Sequence, residues 1–228
     1  MSLRYFVTGT DTGVGKTLVA EALLQLLVEA QLQPFAFKPY ESGVTRVASS
    51  DALRLWRAAG KWQRKETVNV HRFKAPLAPF HAARIEGRRL SFAHVLRAYE
   101  KLGRGPGVVE GAGGVMVPLD RHHDVIHLIS ALKLPVVVVA RAGLGTINHT
   151  VLTINALTSA SCLVRAVVLI QSTRQTDRSI VHNCAELKRR CPTVTVLGPV
   201  PFIEDEIDRN RLLRRVLQPL IPRASRLR

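Results

Sequence analysis

Apolar residues fall in two rhythms along this chain, short unbroken runs and longer stretches at helical spacing. The runs predict strands at Tyr5–Thr8, Phe35–Lys38, Val108–Glu110, Val136–Ala140, Val164–Ile170 and Val194–Leu197. Between them, helical periodicity fits about 17–31, 51–59, 91–102, 146–160, 179–190 and 209–218; in the first of these Leu18, Ala22, Leu23, Leu26 and Leu27 make one stripe. Val-rich runs without alternation are what strands covered on both faces require. The pattern therefore predicts an α/β fold, a parallel sheet flanked by helices. In such sheets ligands bind beyond the carboxyl ends of the strands.

The first strand leads at once into "GTDTGVGKT" (9–17), and a helix follows. Gly13 and Gly15 free the backbone to turn its N–H groups around phosphate oxygens. Lys16 adds a positive charge, and the Thr17 hydroxyl suits a Mg²⁺ ion. The positive end of the helix dipole faces the same place. Five residues separate Gly9 from Gly15 here, one more than the common phosphate loop has. Lys38 closes an apolar strand, where a charge is unfavourable unless it reaches an anionic site or open water. Asp51 stands at a predicted helix start, where it either caps the helix or faces a ligand. Glu110 directly follows a strand, in place to help hold Mg²⁺ opposite Thr17, and Gly111, Gly113 and Gly114 allow a ligand close to the backbone.

Composition narrows the classes. The 228 residues, 46% hydrophobic and 22% charged, suit a single globular domain over 1–228. Runs such as "LPVVVVA" (134–140) are too short to cross a bilayer, and an opening strand does not read as a signal peptide. Cys162, Cys184 and Cys191 lack metal spacing and are odd in number, which suits reduced thiols and a cytoplasmic location. The formal charge of +16 includes seven arginines and no acid in a basic tail at 209–228. No aromatics interleave with it, so neither nucleic acid nor membrane is expected as a partner.

In order, "GTDTGVGKT", "KPYESG", "SSDAL", "VVEGAGGVMVPL", "LPVVVVARAGLGTINHTVLT" and "GPVPF" resemble the dethiobiotin synthetase family from residue 3 to about 208. The five-residue loop spacing is that family's own. The resemblance implies a P-loop NTPase-like fold and ATP- and Mg²⁺-dependent closure of a cyclic urea on 7,8-diaminopelargonic acid with CO₂ (or bicarbonate). The route runs through a carbamate and a carbamic–phosphoric anhydride. It assigns Thr12, Gly13, Val14, Gly15, Lys16, Thr17 and Leu18 to the triphosphate. Thr17, Asp51 and Glu110 become the metal set, and Lys38, with Lys16, the catalytic cations. Ser42 is expected at the diamine or carbamate, with Asp11 near the metal or an amine. Gly111, Ala112 and Gly113 line the pocket, while Gln171, Ser172, Pro201, Phe202 and Ile203 lie at the nucleotide. Residues 71–87, stiffened by Pro76 and Pro79, cover the substrate.

The family's site lies at a homodimer interface, where Gly145, Thr146, Ile147 and Asn148 of one subunit meet the partner's substrate carboxylate. On its residues alone, Asn148 reads equally as a helix cap, and His149 lacks an evident carboxylate partner. Gln171–Ser172 replaces the family's usual Asn-Asp, whose Asn reads adenine; the longer amide offers the same donor and acceptor with a different reach. Two other readings stand beside this one. Another ATP-dependent carboxylate-activating ligase, such as a cobyrinic acid amide synthase fragment, needs a glutamine-hydrolysing domain. A partition-type ATPase switch usually carries an additional lysine early in the loop, and Gly9–Val14 has none.

Overall fold

The computed structural model describes residues 3–175 and 177–222; the last six residues of the expected basic tail lie outside them. Six parallel strands form one sheet. They are β1 (Arg4–Gly9), β2 (Phe35–Phe37), β5 (Gly107–Gly114), β6 (Val136–Arg141), β7 (Val164–Ile170) and β8 (Thr195–Val200), in the order β2-β5-β1-β6-β7-β8. Successive residues of a strand feed opposite faces. Val137 and Val139 join one apolar cluster with Leu23, Leu24 and Leu27. Val136 and Val138 join the other with Leu128, Ile129 and Leu157.

The first face is covered by α1 (Lys16–Glu29), α2 (Asp51–Ala58) and α8 (Glu206–Leu217). The second is covered by α4 (Phe92–Glu100), α5 (Val125–Leu132), α6 (Thr146–Ser159) and α7 (Ile180–Arg190). Both faces are thus apolar, as the unalternating valine runs require. A two-stranded parallel sheet, β3 (Tyr40–Glu41) with β4 (His71–Arg72), and the short helix α3 (Pro79–Ile85) sit beside the carboxyl end of β2.

Several boundaries differ from the sequence expectation. β2 stops at Phe37, so Lys38 lies just past the strand, and β8 starts at Thr195 rather than Val194. α3, α5, β3 and β4 have no counterpart among the expected elements. α8 begins three residues before Arg209, capped by Asp205, whose carboxylate accepts the Asp208 N–H at 2.8 Å. Part of the basic excess there is paired within the fold: Arg214 with Glu29, and Arg211 with Asp208 at 3.2 Å.

Candidate functional site

β1 ends beside β5, and the chain between β1 and α1 wraps the top of the sheet. Gly15 caps α1 at φ +99°, a left-handed value, and a Cβ there would lie 3.0 Å from Ile170 Cδ1. Glycine is therefore required on two counts. The loop stands over a cavity of about 780 Å³. Thr12, Gly13, Gly15, Lys16, Thr17 and Leu18 line one side, and Lys38, Ser42, Asp51, Glu110, Ala112 and Gly113 line others. Residues 76–79 wall it, so Pro76 and Pro79 do border the same space.

The polar centre is tightly knit. Glu110, 1% exposed, accepts from the Thr17 hydroxyl at 2.9 Å and from the Lys38 ammonium. Lys38 also donates to the Gly111 carbonyl at 3.1 Å and stands 3.6 Å from the Asp51 carboxylate. Burial pulls the Lys38 ammonium down, but Glu110 and Asp51 together outweigh it and hold the group above its ordinary value. Burial pushes the Glu110 carboxyl up against the pull of Lys38. Lys16 Nζ rests on the Asp11 carbonyl at 2.8 Å. Desolvation, then the charge of Lys38, lowers its pKa to about 8.

Three open readings close here. Asp51 does not cap α2: Ser50 does, its hydroxyl accepting the Leu53 N–H at 3.2 Å, which leaves the Asp51 carboxylate to Lys38. Lys38 is not a surface lysine but is 4% exposed. Asn148 makes no cap hydrogen bond either, because Gly145 occupies that position in the left-handed region.

Gly145, Thr146, Ile147 and Asn148 begin α6 and are not among the residues that line the cavity. Their loop is pinned from α7 and the turn before it: Asn183 donates to the Ala142 carbonyl at 2.7 Å, and Asp177 accepts the Leu144 N–H at 2.6 Å. Gln171, Ser172, Pro201, Phe202 and Ile203 follow β7 and β8 and do not border the cavity as it stands. Gln171 N–H bonds the Val200 carbonyl at 2.9 Å, keeping the two strand ends together.

Five lining residues escaped the sequence reading, the apolar Val117 among them. Tyr40 and Glu41 flank Ser42's side of the cavity, while Arg54 and Arg209 reach it from α2 and α8. Arg54 sits three positions after Asp51, on the same face of α2; that spacing was the available signal. It forms a two-pronged pair with Glu21 at 2.8 and 2.6 Å. Nothing in the local sequence marks Arg209.

Among the described residues, no group of three or more His, Cys, Asp or Glu could hold a metal by itself. Two carboxylates and a hydroxyl do fit Mg²⁺, which is commonly bound by one or two carboxylates with phosphates and waters completing the shell. Glu110 Oε2, buried without a hydrogen-bond partner, is the kind of atom a cation satisfies.

A family model described as an AAA domain matches residues 3–209. An ATP-dependent dethiobiotin synthetase of Anaeromyxobacter dehalogenans (strain 2CP-1) is 47% identical over 211 residues, covering 92% of this chain and 93% of the relative. One from Bacillus subtilis (strain 168) is 36% identical, covering 86% of each. The chain belongs to the ATP-dependent dethiobiotin synthetase family. Outside that family, a Borrelia burgdorferi B31 protein described as a plasmid partition protein and bound to AMPPNP shares the fold, with TM-score 0.53 and 11% identity. That likeness covers 96% of this chain and 98% of the other. The glycine loop and Lys38 both border one cavity here.

Proposed function

We propose that this chain closes the cyclic urea of dethiobiotin from 7,8-diaminopelargonic acid, CO₂ and ATP, and that the cavity under the glycine loop is where it does so. One amine adds CO₂ and loses a proton, giving a carbamate. A carbamate oxygen attacks the γ-phosphorus and ADP departs. The second amine then attacks the carbonyl carbon of the mixed anhydride, closing the ring and releasing phosphate. No covalent attachment to the protein is required.

The observation that carries this reading is the meeting of Lys16, Thr17, Lys38, Asp51 and Glu110 at one cavity. Thr12 to Leu18 hold the triphosphate, with the loop N–H groups and Lys16 on its outer oxygens. Lys38 offsets the negative charge shared by carbamate and transferring phosphoryl group, an electrostatic contribution that a nearly dry site strengthens. Ser42, whose buried hydroxyl has no internal partner, takes the diamine or carbamate end. Ala112 and Gly113 line the passage between substrate and nucleotide, while Gly111, which does not border the cavity, accepts from Lys38 behind them. Thr17, Asp51 and Glu110 would hold Mg²⁺, which would neutralise phosphate charge. Gln171, Ser172 and residues 201–203 serve the nucleoside.

Two supports favour a shared site in a homodimer. Residues 145–148 do not line their own cavity, and Leu144 beside them is 86% exposed. Residues 145–148 then offer N–H groups to the partner's substrate carboxylate. No helix among the described residues is long and apolar enough to cross a membrane; a cytoplasmic setting accords with the unpaired thiols of the three cysteines.

The test is phosphate release with ATP and Mg²⁺, with and without diaminopelargonate plus bicarbonate, alongside mass detection of dethiobiotin. Release should require both co-substrates, and Lys38→Ala should keep nucleotide binding while turnover falls by roughly 10²-fold or more. ATP hydrolysis indifferent to both co-substrates would overturn the assignment in favour of a nucleotide switch.

A further inference from the structure

Glu41 has no part in the reaction just described, and it is only 4% exposed. A third carboxylate beside Asp51 and Glu110 is electrostatically unfavourable. Burial, and after it the Asp51 charge, push its carboxyl above the usual range. Its contacts show what this carboxylate does. Oε1 accepts the backbone N–H of Asp51, the first residue of α2. That donor is one of the four at a helix start with no partner inside the helix, and Ser50 satisfies a different one, on Leu53. Oε2 has no hydrogen bond and faces Arg72 Nε at 3.8 Å. Glu41 and Arg72 are register partners in the β3–β4 pair. Glu41 thus ties the small sheet to the peptide unit of Asp51, whose own side chain reaches toward Lys38 and Glu110.

We infer that Glu41 is a positioning residue for the divalent cation, acting through Asp51. By holding the Asp51 N–H it fixes where α2 begins and keeps the Asp51 carboxylate turned into the cavity. The inference rests on the proposed membership of Asp51 in the metal set. The hydrogen bond, rather than the charge of Glu41, is the working part. Outer partners of this kind commonly change metal affinity by roughly 10–100-fold when removed.

Mn²⁺ binding followed by electron paramagnetic resonance on the full chain, with AMPPNP and without the diamine, tests this directly. Glu41→Leu should weaken Mn²⁺ by about tenfold or more. Glu41→Gln should stay within about threefold of the parent, because its amide oxygen accepts the same N–H. Asp51→Asn should lose at least as much as Glu41→Leu. If Glu41→Leu fails to fold, Glu41→Ala, which also leaves the Asp51 N–H without its acceptor, carries the same expectation.

A merely structural role would lower the melting temperature and leave the Mn²⁺ affinity of the folded protein unchanged. Parent-like affinity in Glu41→Leu or in Asp51→Asn overturns the inference, as does a Glu41→Gln variant as weak as Glu41→Leu. Failure of the reaction assignment looks different. A parent that forms no dethiobiotin, yet keeps the Gln–Leu split in Mn²⁺ affinity, removes the substrate reading and leaves Glu41 in its role.

Discussion

Replacing Lys38 by methionine isolates the pair at the centre of the site. The two side chains are 5% and 1% exposed, so neither charge has water to fall back on. Without the ammonium, Glu110 Oε1 keeps only the Thr17 hydroxyl, and Oε2 already has no partner. A buried charge stranded in this way costs about 3–5 kcal/mol. For a chain of this size that is a melting-temperature loss of roughly 6–20 °C, at about 2–4 °C per kcal/mol.

The loss should depend on pH with a definite sign. The folded-state value of Glu110 already lies above its unfolded value of 4.5 because of burial, and removing Lys38 raises it further. A raised carboxyl favours the fold below its unfolded value and disfavours it as pH climbs through the folded one. The gap between parent and Lys38→Met should therefore widen as pH rises from 5 to 8. Thermal melts at both pH values, in low salt without divalent ions, measure it. Lys38→Met/Glu110→Gln should recover most of the gap at pH 8, since a neutral amide leaves no stranded charge, while turnover stays lost. An equal gap at both pH values, or none at pH 8, would refute the reasoning.

His71 is buried in a stack with Tyr40 and Phe73, and burial lowers its pKa from 6.5 to about 4. Protonation therefore favours unfolding, and stability, up to about 3 kcal/mol, should drain away as pH falls from 6.5 toward 4. Urea midpoints of parent and His71→Phe across that window check this, and the variant should lose correspondingly less. Gly15→Ala places a side chain in a left-handed conformation against Ile170; nucleotide affinity by calorimetry should fall by about tenfold or more, since the strain alone is roughly 1–2 kcal/mol. Sedimentation of the parent as a dimer and of Leu144→Asp as a monomer, with dethiobiotin formation lost in the monomer, is expected from the exposure of Leu144. A dimer that survives the substitution would place the interface elsewhere.

The sheet could be read from the chain because its central strands are apolar runs that bury themselves whichever way their neighbours lie. α5 could not, for a physical reason. "VIHLISAL" runs almost unbroken into "LPVVVV", so helix and strand merge into one apolar tract. The break between them is Lys133 at φ +52°, where a glycine would ordinarily announce the helix end. β3 and β4, at two residues each, are too short to carry any alternation.

The site divides along the same line. The phosphate loop is local in sequence and was legible as such. The meaning of Lys38, Asp51 and Gln171 depends on which of several possible partners each takes, and the partners come from distant segments. Ser49, Ser50 and Asp51 can all cap a helix; what decides among them is the Glu41 carboxylate, ten residues away, bonded to the Asp51 N–H. Gln171 is the sharper case. Its side-chain nitrogen donates to the Thr173 and Gln175 carbonyls at 3.1 and 3.2 Å. Two carbonyl acceptors demand the NH₂ group on that side, so both its hydrogens are committed within the chain. Only its carbonyl oxygen is left without a partner in the chain, where the residue type permits both donor and acceptor roles. The amide that resembles the family's base reader in kind thus differs in what it can offer, and that difference lies in the turn after β7 rather than in the residue itself.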